Sequence, residues 1–312
     1  MTHTYHIYGN IFSIQSTNKR FLDLVRKYWN RFYIQNNTLK PKAIFQILKY
    51  ETNNPPRKWN YFYNGNFLFL TDSQKYITCY FYRVPWVVHI QIPDFKDVDF
   101  LYFYLFELVF LYTLKRLNLF QWHSAAVVKN GRGVLLAGDA GSGKTTSALN
   151  LWRNGFKILS DDTVLLTKNR TGVYALANDT DLSIAEETIS LFPDLEFLKE
   201  TPRYKVGRQW KRQLEIKKIY PHSLATKAAV SLLLFPKISK NHSTTVEPLA
   251  PSEALIKCLG QKPKGLQSVI MDKITLANQF ELYSSLVQSA KSYDLLIGRD
   301  PENISKLVSR LL

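Results

Sequence analysis

Cysteine is scarce in this chain: among 312 residues there are two, Cys79 and Cys258, far apart in sequence. That excludes a disulfide framework and a thiolate zinc site, both of which need clustered or regularly spaced cysteines. A reducing cytoplasm is the expected setting. No apolar run is long enough to span a bilayer. Phe100–Leu114 is rich in Phe, Leu and Tyr, but it falls short of the ~20 residues required. It also contains Glu107 and is followed by Lys115 and Arg116. A buried helix is expected there, with positive charge at its C-terminus. The opening residues Met1–His6 are polar and lack the apolar region of a secretory signal. Internal repeats and low-complexity segments are absent. Acidic residues are also in deficit, 25 against 41 basic, for a net charge of +16. A field of that sign attracts anions and speeds encounter with acidic partners.

What is present is a folded composition, 46% hydrophobic and 21% charged. The length makes two domains the natural expectation. The most informative stretch is Gly138, Asp139, Ala140, Gly141, Ser142, Gly143, Lys144 and Thr145. It satisfies every fixed position of the phosphate-loop pattern G-x-x-x-x-G-K-[ST]. Its flanks fit too: Gly133–Ala137 reads as a buried strand and Thr145–Asn154 as a helix. Glycines allow backbone amides to turn toward an anion at a helix N-terminus. Lys144 can reach the β/γ-phosphates, and the Thr145 hydroxyl can ligate Mg²⁺. Thr146 continues the cradle. After the helix, Phe156–Leu159 reads as a strand that ends in Asp161 and Asp162. In a parallel sheet its end shares an edge with the phosphate loop. One carboxylate can then hold Mg²⁺ and the other accept a proton from an attacking hydroxyl. His123 precedes the small-residue strand Ser124–Val128, which turns at Asn130 and Gly131 into the phosphate-loop strand.

His123, Gly138–Thr145 and the Asp161–Asp162 pair resemble the catalytic domain of the HPr kinase/phosphorylase family and its shorter relatives. That family shares a nucleotide site with the phosphoenolpyruvate carboxykinase fold. The resemblance is continuous from His123 to Leu166. It is weaker through Leu214–Ile216, Tyr220–Ala225, Glu247–Leu255 and Gly298–Asp300. It implies ATP and Mg²⁺, with Asp161 as general base, Asp162 and Thr145 on the metal, Lys144 on the phosphates and His123 near the transferring group. It also implies assembly into homo-oligomers. The family carries an acidic residue where this chain has Thr146, and its glycine-rich signature has only a faint echo in Leu214–Lys218. Kinase chemistry is therefore implied, and neither the phosphorylase reaction nor HPr itself as substrate.

The densest basic segment, Arg203–Lys218, holds Arg203, Lys205, Arg208, Lys211, Arg212, Lys217 and Lys218 against Glu215 alone. It reads as a loop ending in a strand near Gln213–Ile216. Either it is a lid that supplies a cation to the phosphoryl group, with Lys211 and Arg212 as candidates, or it is a solvated basic loop. Aromatic residues interleave with basic ones at Lys27–Tyr33, yet no nucleic-acid-binding motif accompanies the charge.

Residues 1–118 read as an aromatic-rich α+β module dominated by antiparallel strands, at Tyr5–Tyr8, Ala43–Ile47, Tyr61–Tyr63, Phe67–Leu70, Tyr76–Phe81 and Trp86–Ile92. A helix is expected at Phe21–Phe32 and a hairpin turn at Asn64 and Gly65. Substrate recognition, subunit contact and extension of the core sheet are all open roles for it. Beyond Asp162 the pattern gives a hairpin at Thr163–Leu176, a helix at Leu182–Leu191 and a buried strand at Ala228–Phe235. Helices follow at Pro251–Cys258 and Ile274–Ser289, then a strand at Tyr293–Gly298 and a helix at Glu302–Leu311.

The expected architecture is thus α/β: a P-loop kinase core of the HPr kinase / PEP carboxykinase type with a mixed sheet (residues 119–312), preceded by an α+β N-terminal domain (residues 1–118). The expected activity is transfer of the terminal phosphoryl of ATP to a hydroxyl. That hydroxyl is taken to be a serine of an acidic peptide or protein, including natural-product precursor peptides, as the resemblance implies. A kinase of a small hydroxylated metabolite, a non-catalytic nucleotide-binding regulator and a carboxykinase-type lyase are the competing expectations.

Overall fold

The computed structural model describes residues 1–35, 38–49, 60–63, 67–72, 75–81, 83–92, 95–178, 181–206, 209–240, 243–261 and 272–312. Contacts divide the chain into two units, Met1–Thr113 with Gly265–Asp272, and Leu114–Lys264 with Lys273–Leu312.

The first unit contains β1 (Thr2–Ile7), β2 (Asn10–Ser16), α1 (Lys19–Trp29), β3 (Tyr33–Ile34), β4 (Ala43–Lys49), β5 (Asn60–Tyr63), β6 (Phe67–Asp72), β7 (Lys75–Tyr80), β8 (Trp86–Ile92) and α2 (Val98–Phe100). A π-helical stretch, Leu101–Phe106, then leads into α3 (Glu107–Arg116), whose residues from Leu114 on belong to the second unit. Its strands form one sheet in the order β3-β1-β2-β4-β8-β7-β6-β5. The centre of the sheet is parallel, because β4 pairs β2 and β8 in that sense. The antiparallel expectation therefore holds only toward the edges. β2 was not anticipated. It is joined to β1 by a turn in which Tyr8 and Gly9 both take positive φ, a conformation that matches the twist of a tight hairpin. Asn18 starts α1 by accepting the Phe21 amide at 2.9 Å. The apolar stretch at Phe100–Leu114 is helical as expected, and Phe106 and Phe110 pack on Phe45 of the sheet at 5.6 and 5.3 Å between ring centroids. The turn expected at Asn64 and Gly65 lies outside the described residues.

The second unit contains β9 (Phe120–Trp122), β10 (Ser124–Lys129), β11 (Arg132–Ala137), α4 (Lys144–Arg153), β12 (Lys157–Ser160), β13 (Val164–Asn169), β14 (Gly172–Ala177), β15 (Leu182–Ala185), α5 (Glu186–Ile189), β16 (Arg203–Val206), β17 (Gln209–Leu214), α6 (Ile216–Ile219), β18 (Lys227–Ile238), β19 (Thr245–Pro248), α7 (Pro251–Gly260), α8 (Lys273–Ser289), β20 (Lys291–Ile297) and α9 (Ile304–Leu311). This is a mixed α/β architecture. The main sheet runs β12-β10-β11-β18-β14-β13-β9, and β18 also pairs β20, which in turn pairs β19. β10 meets β11 through Asn130 (φ 51) and Gly131 (φ 76), the two positive-φ positions of a type I′ turn.

β10 is antiparallel to both β11 and β12, while β11 is parallel to β18 and β18 to β20. Hence β11, β12, β18 and β20 all point the same way and their carboxyl ends share one edge. Alternation along the strands builds a core on each face. Val134, Leu136, Leu232, Leu234 and Leu295 pack with Leu149 and Trp152 of α4 and with Ile304 and Val308 of α9. Leu135, Leu233 and Phe235 pack with Ala254 and Cys258 of α7 and Leu282 and Leu286 of α8. Each large side chain so buried stabilises the unit by about 1.5–3 kcal/mol relative to exposure.

Two expectations are corrected here. Leu182–Leu191 is not one helix: Leu182–Ala185 is a strand that pairs Leu214–Lys211 of β17, and the helix starts at Glu186. Leu182 and Ile184 are both buried, a period-2 pattern that a strand satisfies. The basic segment is not a loop that ends in a strand near Gln213–Ile216. Arg203–Val206 and Gln209–Leu214 are two strands paired antiparallel, and Ile216 opens a short helix.

Candidate functional site

The segment Gly138–Gly143 joins the carboxyl end of β11 to the N-terminus of α4, so its amides and the helix dipole meet at the common edge. Gly143 caps the helix at φ 100 and ψ 12. A Cβ built there would stand 2.6 Å from the Ile297 Cδ1 and 3.2 Å from the Ile238 Cδ1. The backbone conformation therefore demands glycine, and an added methyl would also have to displace the end of the Ile297 side chain. Lys144 begins the helix and is buried. Its Nζ donates to the Gly138 carbonyl at 2.7 Å and to the Asp139 carbonyl at 2.8 Å. The ammonium thus lies within the loop. Thr146 meets Thr188 of α5 at 3.5 Å between hydroxyls.

Asp161 and Asp162 follow β12 at the same edge and occupy different environments. Asp161 is 3% exposed, and its Oδ2 accepts the Ser183 amide at 2.8 Å. Asp162 is partly open to solvent, with its Oδ1 3.3 Å from His123 Nδ1. That nitrogen also lies 2.9 Å from the Asp162 carbonyl oxygen. A carbonyl can only accept, so Nδ1 carries the hydrogen and Nε2 is the basic ring atom of the neutral tautomer. His123 lies between β9 and β10, and its contact with Asp162 brings it to the carboxylate pair.

The two cations expected from the basic segment part company. Adjacent residues in a strand point to opposite faces. Arg212 is turned to Glu186, with Nε at 3.2 Å and Nη2 at 2.9 Å from Oε1, and its Nη1 donates to the Thr201 carbonyl. Its guanidinium is therefore engaged by Glu186 and the Thr201 carbonyl. Lys211 lies on the other face, opposite Tyr204 and Ala185. On that face the Tyr204 hydroxyl is 2.7 Å from the Ser183 Oγ.

Sequence reasoning missed Ser183, Tyr204 and Thr188, whose residue types carry no signal. Asp300 forms a turn before α9: it accepts the Thr244 amide and, at 2.6 Å, the Asn303 side chain. A hydrogen bond with the Thr244 side chain is the leading cause that holds its carboxyl below the ordinary range. No group of three or more His, Cys, Asp or Glu residues forms a metal cage among the described residues.

The family described as SynChlorMet cassette protein ScmC matches residues 88–180, a span that includes His123, the glycine loop and the Asp pair. Among solved structures, the Hpr(Ser) kinase/phosphatase from Coxiella burnetii is 14% identical, with a TM-score of 0.30. The match covers 61% of this chain and 94% of that one. The likeness is remote. A search of the curated proteins finds no match. No helix among the described residues is long and apolar enough to cross a membrane.

Proposed function

We propose that the protein is a kinase that moves the terminal phosphoryl group of ATP, with Mg²⁺, to a serine hydroxyl of a peptide or protein. The observation that carries this reading is the shared edge: the Gly138–Thr145 loop and the Asp161–Asp162 pair both follow strands that point the same way. Residues 119–312 are then the catalytic domain, and residues 1–118 serve substrate recognition or self-association.

On this reading Lys144 leaves the Gly138 and Asp139 carbonyls for the β/γ-phosphates, while the loop amides surround the same oxygens. Thr145 and Asp162 hold Mg²⁺, which supplies neutralisation of phosphate charge. Asp161 accepts the proton of the acceptor hydroxyl, whose oxygen bonds to the γ-phosphorus as the bond to the ADP oxygen breaks. The Ser183 amide keeps the Asp161 carboxylate in one orientation. His123 holds Asp162 and meets the transferring group. Arg212 acts only through Glu186, as part of the frame, and Lys211 remains as the cation on the face beside Ser183. The test is incubation with γ-labelled ATP and Mg²⁺ against a broad set of serine-bearing peptides and proteins, followed by identification of phosphoserine. Label confined to water as free phosphate would contradict the acceptor chemistry.

A further inference from the structure

The hairpin β16–β17 forms the outer side of the three-stranded sheet β15-β17-β16, and that sheet ends at β16 among the described residues. The described residues of the two strands include Arg203, Lys205, Lys211 and Arg212 and no acidic residue. Arg212 is committed to Glu186, whose other carboxylate oxygen lies 3.9 Å from the Arg203 Nη1. The other three are divided by the register: Arg203 and Lys205 share a face with Trp210, and Lys211 shares the opposite one with Tyr204 and Val206. Each face also exposes a large apolar side chain, Trp210 at 41% and Val206 at 48%. The Arg203 guanidinium lies over the Trp210 ring at 4.5 Å. Lysine on an edge strand can simply guard it against pairing. An exposed tryptophan and valine on the same two strands work against that guard. A strand added at an edge projects its side chains alternately to both faces. Here each face offers it a cation and an apolar contact.

We infer that β16 is the docking edge for an acidic peptide, which adds to the small sheet as a further strand. This rests on the proposed kinase reading for its purpose: the Tyr204 hydroxyl reaches Ser183 Oγ, and the Ser183 amide is on Asp161, so the docking strand is tied to the proposed base through two hydrogen bonds. Charge complementarity selects the acidic partner. The backbone edge selects a peptide over a nucleic acid, whose bases would need a run of stacking platforms.

The test is fluorescence anisotropy without nucleotide, so it reads docking even if no phosphoryl transfer occurs. The probe is a short labelled peptide of glutamate, valine and threonine with one central serine. Wild-type protein should bind it and ignore the version with lysine in place of glutamate. The double variant Arg203→Glu, Lys205→Glu should bind about tenfold or more weakly. Because that variant could misfold, the same probe with alternate backbone amides N-methylated is also offered to wild-type protein, and it should fail to bind. Equal binding of the methylated and unmethylated probes would overturn strand addition. Indifference to probe charge would overturn the acidic partner. Tighter binding of a single-stranded oligonucleotide that displaces the peptide would reassign the surface to nucleic acid.

Discussion

Replacing Gly143 by alanine probes the loop at its tightest point. The backbone there has φ 100, where a non-glycine residue costs about 1–3 kcal/mol. The new methyl would also stand 2.6 Å from the Ile297 Cδ1. Ile297 is 4% exposed and part of the core against α4, so its methyl moves aside only by leaving its rotamer, at about 0.5–1.5 kcal/mol. The sum is about 1.5–4.5 kcal/mol. If the loop stays folded and the cost falls on its bound geometry, MgATP affinity drops about 10- to 2,000-fold. If the unit absorbs the cost, Tm falls by about 3–18 °C. Titration calorimetry with MgATP and a thermal scan of the same preparation divide the two. The second-site change Ile297→Val removes the colliding methyl, so the double variant should recover the contact share and retain the φ share. A Gly143→Ala protein with wild-type Tm and wild-type MgATP affinity would refute the reasoning.

Glu186→Gln leaves the Arg212 guanidinium, 13% exposed at its side chain, opposite Arg203 without a carboxylate between them. A loss of about 1–2 kcal/mol is expected in chemical denaturation, and an unchanged midpoint would show that the pair contributes nothing. Burial would raise the Asp294 carboxyl, but bonds from Lys237 at 2.8 Å and Lys257 at 3.0 Å outweigh it and hold the group below its usual range. A depressed carboxylate stabilises the fold above its unfolded value, near 4, and that stability is lost as pH falls through the lower folded value. Asp294→Asn should therefore lower Tm at neutral pH, and its gap to wild type should close in acid. A gap independent of pH would contradict the ion pairs as its cause.

The glycine loop, the Asn130–Gly131 turn and the order of elements from β10 to β14 are legible in the sequence because local spacing and turn chemistry determine them. The parallel centre of the first sheet is not, since β2, β4 and β8 are brought together across long separations that no local pattern encodes. The Arg203–Lys218 segment misleads because its cations obscure a period-2 strand. Reading Lys211 and Arg212 as neighbours in a strand would have placed them on opposite faces, and only pairing with β15 reveals which face meets Glu186. The Ser183 amide on Asp161 is a backbone contact, so no residue type announces it.

The most direct test of the kinase reading compares wild type with Asp161→Asn in label transfer from γ-labelled ATP. The amide keeps the size of the buried carboxylate, and its oxygen can still accept the Ser183 amide, so fold and MgATP binding should persist. The account predicts phosphoserine formation by wild type and a loss of at least about 100-fold in the variant. Equal transfer by both proteins would contradict the assignment of Asp161 as the base.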